Sequence, residues 1–237
     1  MTRVFCISDT HGCSFENIKN MLKKVNFSVN DKLYVLGDTV DRGDDIWEFL
    51  MYIMSHSNVK LIKGNHEQMV IENSGLFGSV HKDFTSLTER ENQSYRFWML
   101  NGGKSTLKML QEMDAKDIER ILYLFRSAPL YKEVFIGEKR FILCHSGLGG
   151  YAPEKPLEQY SDRELLWYRP QLNQRFYIDD NTMVVFGHTP TIMMDDQNQG
   201  DPIISPTWIN IDVGAALGNP FKPCLFCLND YTWVKPD

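Results

Sequence analysis

A mixed α/β fold is predicted by three features of the 237-residue sequence. Short apolar runs alternate with helix-patterned segments over the first 67 residues, each run stops at a polar cluster containing glycine, and the second half is dominated by further strand-like runs. Val4-Phe5-Cys6-Ile7 is a continuous apolar run, as expected of a strand buried on both faces, and it ends at Ser8-Asp9-Thr10-His11-Gly12. Ser14 then caps a helix whose face carries Phe15, Ile18, Leu22 and Val25, and Asn26 to Asp31 form a turn. A second strand, Leu33 to Leu36, runs into Gly37-Asp38. After Asp44 a helix carries Ile46, Phe49, Leu50 and Ile53, and a third strand, Val59 to Ile62, ends in Gly64-Asn65-His66-Glu67. Crossovers between parallel strands put successive carboxyl ends along one edge, so the three polar clusters are expected to meet.

From about Asn73 to Arg126 the pattern changes to polar loops and helices, with Asp114 as a cap and Ile118, Ile121, Leu122 and Phe125 as a buried stripe. This reads as a helical elaboration, about 73–126, of a single domain spanning 1–237. Strand-like runs follow at Tyr131 to Ile136, Phe141 to Cys144, Met183 to Phe186, Trp208 to Ile211 and Cys224 to Leu228, with a turn at Gly137-Glu138. Residues 149–180, with Pro153, Pro156 and Pro170, read as a long irregular stretch.

Composition narrows the partners. With 43% apolar and 24% charged residues the chain is an ordinary globular protein. Its 25 Lys+Arg against 31 Asp+Glu give a net charge of -6, which favours neither a nucleic-acid backbone nor an anionic membrane. No transmembrane run or signal peptide is readable, so a cytoplasmic location is expected. Five cysteines, with Cys6, Cys144 and Cys224 in strand-like runs, suit reduced thiols. Cys224-x-x-Cys227 reads as core packing, and Cys13, beside the first cluster, is either an oxidation-sensitive thiol or inert.

The residues that follow the strands are Asp9 and His11, Asp38, Asn65 and His66, then His145, then His188. Four of the six histidines therefore fall at strand ends near glycines, and only His56 and His81 lie elsewhere. Carboxylates, an amide oxygen and imidazoles form a mixed O/N set that suits Mn, Fe or Zn better than Ca or Mg.

In order, Ser8-Asp9-Thr10-His11-Gly12, Gly37-Asp38-Thr39-Val40-Asp41-Arg42-Gly43, Gly64-Asn65-His66-Glu67, His145-Ser146-Gly147 and Gly187-His188-Thr189 resemble the motifs of the phosphoprotein phosphatase family of calcineurin-like metallophosphoesterases. The ending Ile211-Asp212-Val213-Gly214-Ala215 looks like the bacterial and phage branch of serine/threonine protein phosphatases. The resemblance implies a four-layer α+β arrangement, a two-sheet β sandwich flanked by helices. It also implies two divalent cations, manganese first with iron or zinc as alternatives. Asp9 and His11 would bind one, Asp38 would bridge, and Asn65, His145 and His188 would bind the other. A metal-bridging hydroxide would then attack the phosphorus of a phosphoserine or phosphothreonine directly. By the same resemblance His66 is the general acid, paired to Asp41, and Arg42 and Asn65 help hold the phosphate. Arg169, in Trp167-Tyr168-Arg169, is a second guanidinium candidate, with Arg163 or Arg175 as alternatives.

Ser8 stands where the protein phosphatases usually carry glycine, and Ser-Asp-Thr-His-Gly is also similar to small calcineurin-like phosphodiesterases. Asp41-Arg42-Gly43 and Glu67, by contrast, look like the protein phosphatases and unlike the symmetric dinucleoside tetraphosphate hydrolases. The substrate is thus a phosphoprotein or a small phosphoester, with dinucleoside tetraphosphate hydrolysis as the alternative. A protein-binding scaffold without catalysis is the alternative of another class. Ligation by three histidines predicts loss of metal in acid, since a protonated imidazole cannot ligate.

Overall fold

A computed structural model describes residues 2–77, 88–177, 179 and 181–237. Two sheets stack face to face, each of five strands among the described residues. The first takes β1 (Val4–Ile7), β2 (Lys32–Val35) and β3 (Val59–Leu61) in parallel, joined by helices α1 (Phe15–Lys24) and α2 (Trp47–Ser55). Helix α3 (Asn65–Glu72) follows β3 directly. Next come α4 (Glu89–Leu100), α5 (Lys104–Gln111) and α6 (Ala115–Ser127). The second sheet takes β4 (Tyr131–Ile136), β5 (Lys139–Cys144), β6 (Thr182–Phe186), β7 (Ile203–Ile204) and β8 (Trp208–Asn210), in the order β4-β5-β6-β8-β7. Short helices α7 (Asp162–Leu166) and α8 (Thr191–Met194) interrupt its connections. The chain then returns to the first sheet as β9 (Leu225–Cys227) and β10 (Trp233–Val234), both antiparallel to their neighbours.

The period of two along each strand divides the apolar side chains between layers. Phe5, Ile7, Leu33 and Val35 face the helices, where Ile18, Leu50, Val70, Ile121 and Phe125 meet them. Val4, Cys6, Tyr34 and Phe226 face the second sheet and pack on Phe141, Leu143, Met183 and Val185. On that sheet's far side Ile142, Val184, Phe186 and Trp208 lie under Leu157, Leu165 and Phe176. Both faces of β1 and β6 are thus buried, which is why they read as unbroken apolar runs, and each large side chain so buried contributes about 1.5–3 kcal/mol.

Several sequence expectations need correction. Ser14 makes no side-chain cap bond; the Phe15 N–H donates instead to Asp45 Oδ2 at 2.8 Å, a partner brought by the α2 entry. Residues 149–180 are not wholly irregular, since α7 lies within them. Strands β7 and β10, two residues each, have no readable periodicity. The 73–126 segment is helical as expected where it is described, although 78–87, with His81, lies outside the described residues. Asp114 does cap α6, accepting from the Asp117 N–H at 2.8 Å, and the Ile118, Ile121, Leu122 and Phe125 stripe is buried. Cys224 and Cys227 face opposite sides of the first sheet and all five thiols are free, so the C-x-x-C spacing is core packing. Burial pushes the Cys13 thiol up to about 12, leaving it little thiolate with which to react. Among the described residues, no helix is long and apolar enough to cross a membrane.

Candidate metal and phosphate site

Six parallel strands of the two sheets point their carboxyl ends at one edge, and each delivers a side chain there. Asp9 and His11 follow β1, Asp38 follows β2, Asn65 and His66 follow β3, His145 follows β5, His188 follows β6 and Asp212 follows β8. All eight are buried, at 7% exposure or less. The chain turns sharply to present them: Asp9, His11, Asp38, Asp41, Arg42 and His188 all have left-handed backbone, with φ between 44° and 71°. For residues other than glycine this conformation costs roughly 1–2 kcal/mol each, so neighbouring contacts must hold it. Glu67 supplies part of that hold. Its buried carboxylate accepts from the N–H groups of Asp38 at 2.8 Å, Thr39 at 2.7 Å and Gly64 at 2.8 Å, which ties the β2 and β3 loops together. Gly187 is required by close approach, because a Cβ there would lie 2.0 Å from Ser8 Oγ. Ser8 itself donates to Asp9 Oδ2, which also accepts the His188 N–H at 2.9 Å. The serine that departs from the protein-phosphatase pattern therefore orients Asp9 and leaves Oδ1 toward the cleft.

Asp38 is the hub. Its Oδ2 lies 3.4 Å from His11 Nε2 and 3.7 Å from His66 Nε2, and its Oδ1 lies 3.3 Å from His145 Nε2. Two groups of potential ligand atoms share it, His11-Asp38-His66 and Asp38-His145-His188, with all ligand atoms of each group within 4.8 Å of one another. Asn65 Oδ1 joins the second group, 2.8 Å from His145 Nε2. Asp9 lies beside the first, its Oδ1 4.0 Å from His11 Nε2.

The donor set fits cations. His11 Nδ1 and His145 Nδ1 lie 2.9 Å and 2.7 Å from the carbonyls of Val40 and Leu36, an arrangement that fixes the rings and turns each Nε2 inward. His145 Nε2 then faces His188 Nδ1 at 3.2 Å, and His188 Nε2 is buried with no partner. Electron-rich atoms converging in this way call for positive charge among them.

Electrostatics agree. Burial pushes Asp9 up to about 6 and lowers His11 to about 3 and His188 to about 2, so these imidazoles are neutral and ready to ligate. Burial opposes the charged form of His145 as well, but the neighbouring Asp38 outweighs it and raises His145 to about 10. Burial likewise opposes the Asp38 anion, and the surrounding histidines, His145 foremost, hold it well below the usual carboxylate range. His145 must therefore lose a proton to ligate, and the sign follows: binding strengthens as pH rises toward about 10. Metal added to stripped protein at pH 7 is expected to release about one proton, with affinity rising about tenfold per pH unit. Calorimetry in two buffers of different ionisation enthalpy measures this, and pH-independent uptake without proton release contradicts it.

Beside these candidate ligands lies the His66–Asp41 pair, which the sequence resemblance names as the acid and its partner. His66 Nδ1 is 2.6 Å from Asp41 Oδ2, with both residues buried. Burial opposes a charged His66, but Asp38 and then Asp41 outweigh it and raise its pKa. Arg42 Nη2 reaches within 3.4 Å of His66 Nε2. Arg169 donates to the His188 carbonyl at 2.9 Å and to Thr189 Oγ1 at 3.2 Å. Both arginines line the same ≈ 110 Å³ cleft as Asp9, His11, Asp38, Asn65, His66 and His188, whereas Arg163 and Arg175 do not. Larger cavities of ≈ 660 and ≈ 590 Å³ lie beside β3, around Lys60 and Pro129, and hold none of these residues.

Sequence reasoning overlooked Asp212, Trp98 and Thr106. Asp212 lines the cleft, and burial raises its pKa well above the usual carboxylate range; its position as the sixth strand end was the available signal. Trp98 and Thr106 bond Asp41 from α4 and α5, and nothing local in the sequence marks them.

The family profile described as Calcineurin-like phosphoesterase matches residues 2–191. Among curated relatives, a symmetrical bis(5'-nucleosyl)-tetraphosphatase of Buchnera aphidicola is 30% identical over 62% of this chain and 44% of its own length. The chain thus spans less than half of that relative. Serine/threonine-protein phosphatase 1 of Salmonella typhimurium is 27% identical over 79% of this chain and 78% of its own length. Among solved structures, the cold-active protein-tyrosine phosphatase of a psychrophilic Shewanella superposes with a TM-score of 0.54 at 15% identity, covering 100% of this chain and 81% of that one.

Proposed function

The chain belongs to the calcineurin-like phosphoesterase family, and from that premise we propose that it is a metal-dependent phosphomonoesterase acting on phosphoserine and phosphothreonine in proteins. The observation that carries this reading is the 2.6 Å contact of His66 Nδ1 with Asp41, which leaves Nε2 facing the cleft between Asp38 and Arg42. A seryl or threonyl oxygen leaves as a strongly basic alkoxide and needs a proton, whereas a nucleoside phosphate leaves from an anhydride without one. A buried, oriented acid therefore favours esters of alcohols. Alignment over 78% of the Salmonella phosphatase, against 44% of the tetraphosphatase, supports the same choice.

Asp9, His11, Asp38, Asn65, His145 and His188 would hold two divalent cations, manganese with iron or zinc as alternatives, whose charge makes water nucleophilic near neutral pH and steadies the phosphoryl oxygens. Arg42 and Arg169, which both line the cleft, grip two of those oxygens, with the Asn65 amide beside them. His66 gives its Nε2 proton to the departing oxygen while Asp41 holds Nδ1–H, so that water and ester become phosphate and alcohol. Trp167 walls the cleft beside His188, with ring centroids 6.1 Å apart.

The test compares kcat/KM of Mn²⁺-loaded protein on a phosphothreonine peptide and on diadenosine tetraphosphate. Preference for the peptide by at least tenfold, about 1.4 kcal/mol, is expected. The reverse preference assigns the protein to tetraphosphate hydrolysis, and metal binding without turnover of either points to a scaffold.

A further inference from the structure

We infer that Trp98 and Thr106, carried by helices α4 and α5 that the chain forms between β3 and β4, are positioning residues that fix the Asp41–His66 pair for proton transfer. The inference rests on the phosphomonoester hydrolysis proposed above. Asp41 and Arg42 are consecutive left-handed residues, at φ 70° and 71°, and neither N–H is taken up by the sandwich. The Asp41 N–H donates to Thr106 Oγ1 at 2.8 Å and the Arg42 N–H to the Gly102 carbonyl at 2.9 Å. The hydroxyl of Thr106 in turn donates to Asp41 Oδ1, and the Trp98 indole N–H spans both carboxylate oxygens at 3.1 and 3.0 Å.

One buried carboxylate thus has its plane set by two side chains of α4 and α5, and only then does Oδ2 meet His66 Nδ1. The corner between those helices is shaped for the task. A Cβ on Gly102 would come within 2.6 Å of Arg42 Cγ, and one on Gly103 within 2.6 Å of Trp98 Nε1. Trp98 and Thr106 are 0% and 1% exposed, so water does not compete for these bonds. Neither residue lines the cleft, so each acts through Asp41 rather than on the substrate.

The experiment uses Thr106→Val, which keeps the shape and removes the hydroxyl, with Thr106→Ser as the conservative partner and Trp98→Phe as an independent variant. Mn²⁺-loaded proteins are assayed on a phosphothreonine peptide and an aryl phosphate, and ¹⁵N-histidine NMR of the same variants loaded with diamagnetic Zn²⁺ follows the His66 Nδ1–H resonance, assigned by its absence in His66→Asn. Thr106→Val is expected to lower peptide kcat by about ten- to a hundredfold, with KM and aryl turnover changed by less than about threefold. Its His66 resonance should be shifted or lost, and Thr106→Ser should restore both readouts. Equal losses on the two substrates, or an unchanged resonance in Thr106→Val, overturn the inference. Should wild type turn over neither monoester while the resonance still responds to Thr106→Val, the monoesterase reading fails and the positioning role stands.

Discussion

His66→Asn is expected to lower phosphothreonine-peptide turnover by about 10²–10⁴-fold while the protein keeps its full complement of metal. Asparagine can still donate to Asp41 Oδ2 but has no proton to give the leaving oxygen. An aryl phosphate, whose phenolate leaves more easily, should suffer much less. Metal content is the decisive control, because the geometry also groups His66 with His11 and Asp38 as potential ligands. If His66→Asn loses a cation, or if both substrates fall together, His66 is a ligand and the acid must be sought elsewhere. The 2.6 Å bond from its Nδ1 to Asp41 and the approach of Arg42 to its Nε2 are the reasons to expect otherwise.

Asp38→Asn is expected to remove both cations. Each Asp38 oxygen faces a different histidine, and no other residue belongs to both ligand groups. Asparagine keeps one acceptor, turns the other into a donor pointed at an imidazole nitrogen, and deletes the charge that both cations share. Removing one partner from a buried, paired set costs about 3–5 kcal/mol, which is roughly 10²–10⁴-fold in metal affinity, and activity should fall at least as far. The fold should persist, since the amide oxygen of the substituted side chain can still accept the His66 N–H that Asp38 Oδ1 now binds at 3.0 Å. Elemental analysis after dialysis, with a melting curve on the same sample, checks both statements. Retention of two cations at wild-type affinity would remove Asp38 from its bridging role.

How much of this was legible in the sequence follows from which contacts are local. Strands β1, β5 and β6 are buried on both faces, so their apolar runs announced them, and the polar clusters that follow are covalently tied to strand ends. The candidate positions Asp9, Asp38, Asn65, His145 and His188 could accordingly be read along the chain, and they lie together in space. Contacts made across the fold left no such trace. Asp45 replaces Ser14 as the partner of the Phe15 N–H from 30 residues away, and Trp98 and Thr106 reach Asp41 from 57 and 65 residues away. Asp212 is the exception, since it follows the strand-like run Trp208 to Ile211 as the other site residues follow theirs, and β8 lies beside β6.

The bond from the His188 N–H to Asp9 Oδ2 joins positions 179 residues apart. Asp9, His11, Asp38 and Asn65 come with the first sheet, whereas His145 and His188 come with the second. A nascent or partly unfolded chain holding only the first half therefore has an open basin of acid and imidazole groups and no closed cage. Closing that distance costs chain entropy before any ligand contact rewards it. The cage therefore needs both sheets in place and is broken when they part. Cations held by Asp9, His11, Asp38, Asn65, His145 and His188 would belong to the finished molecule alone, and their binding energy would add directly to the stability of that state.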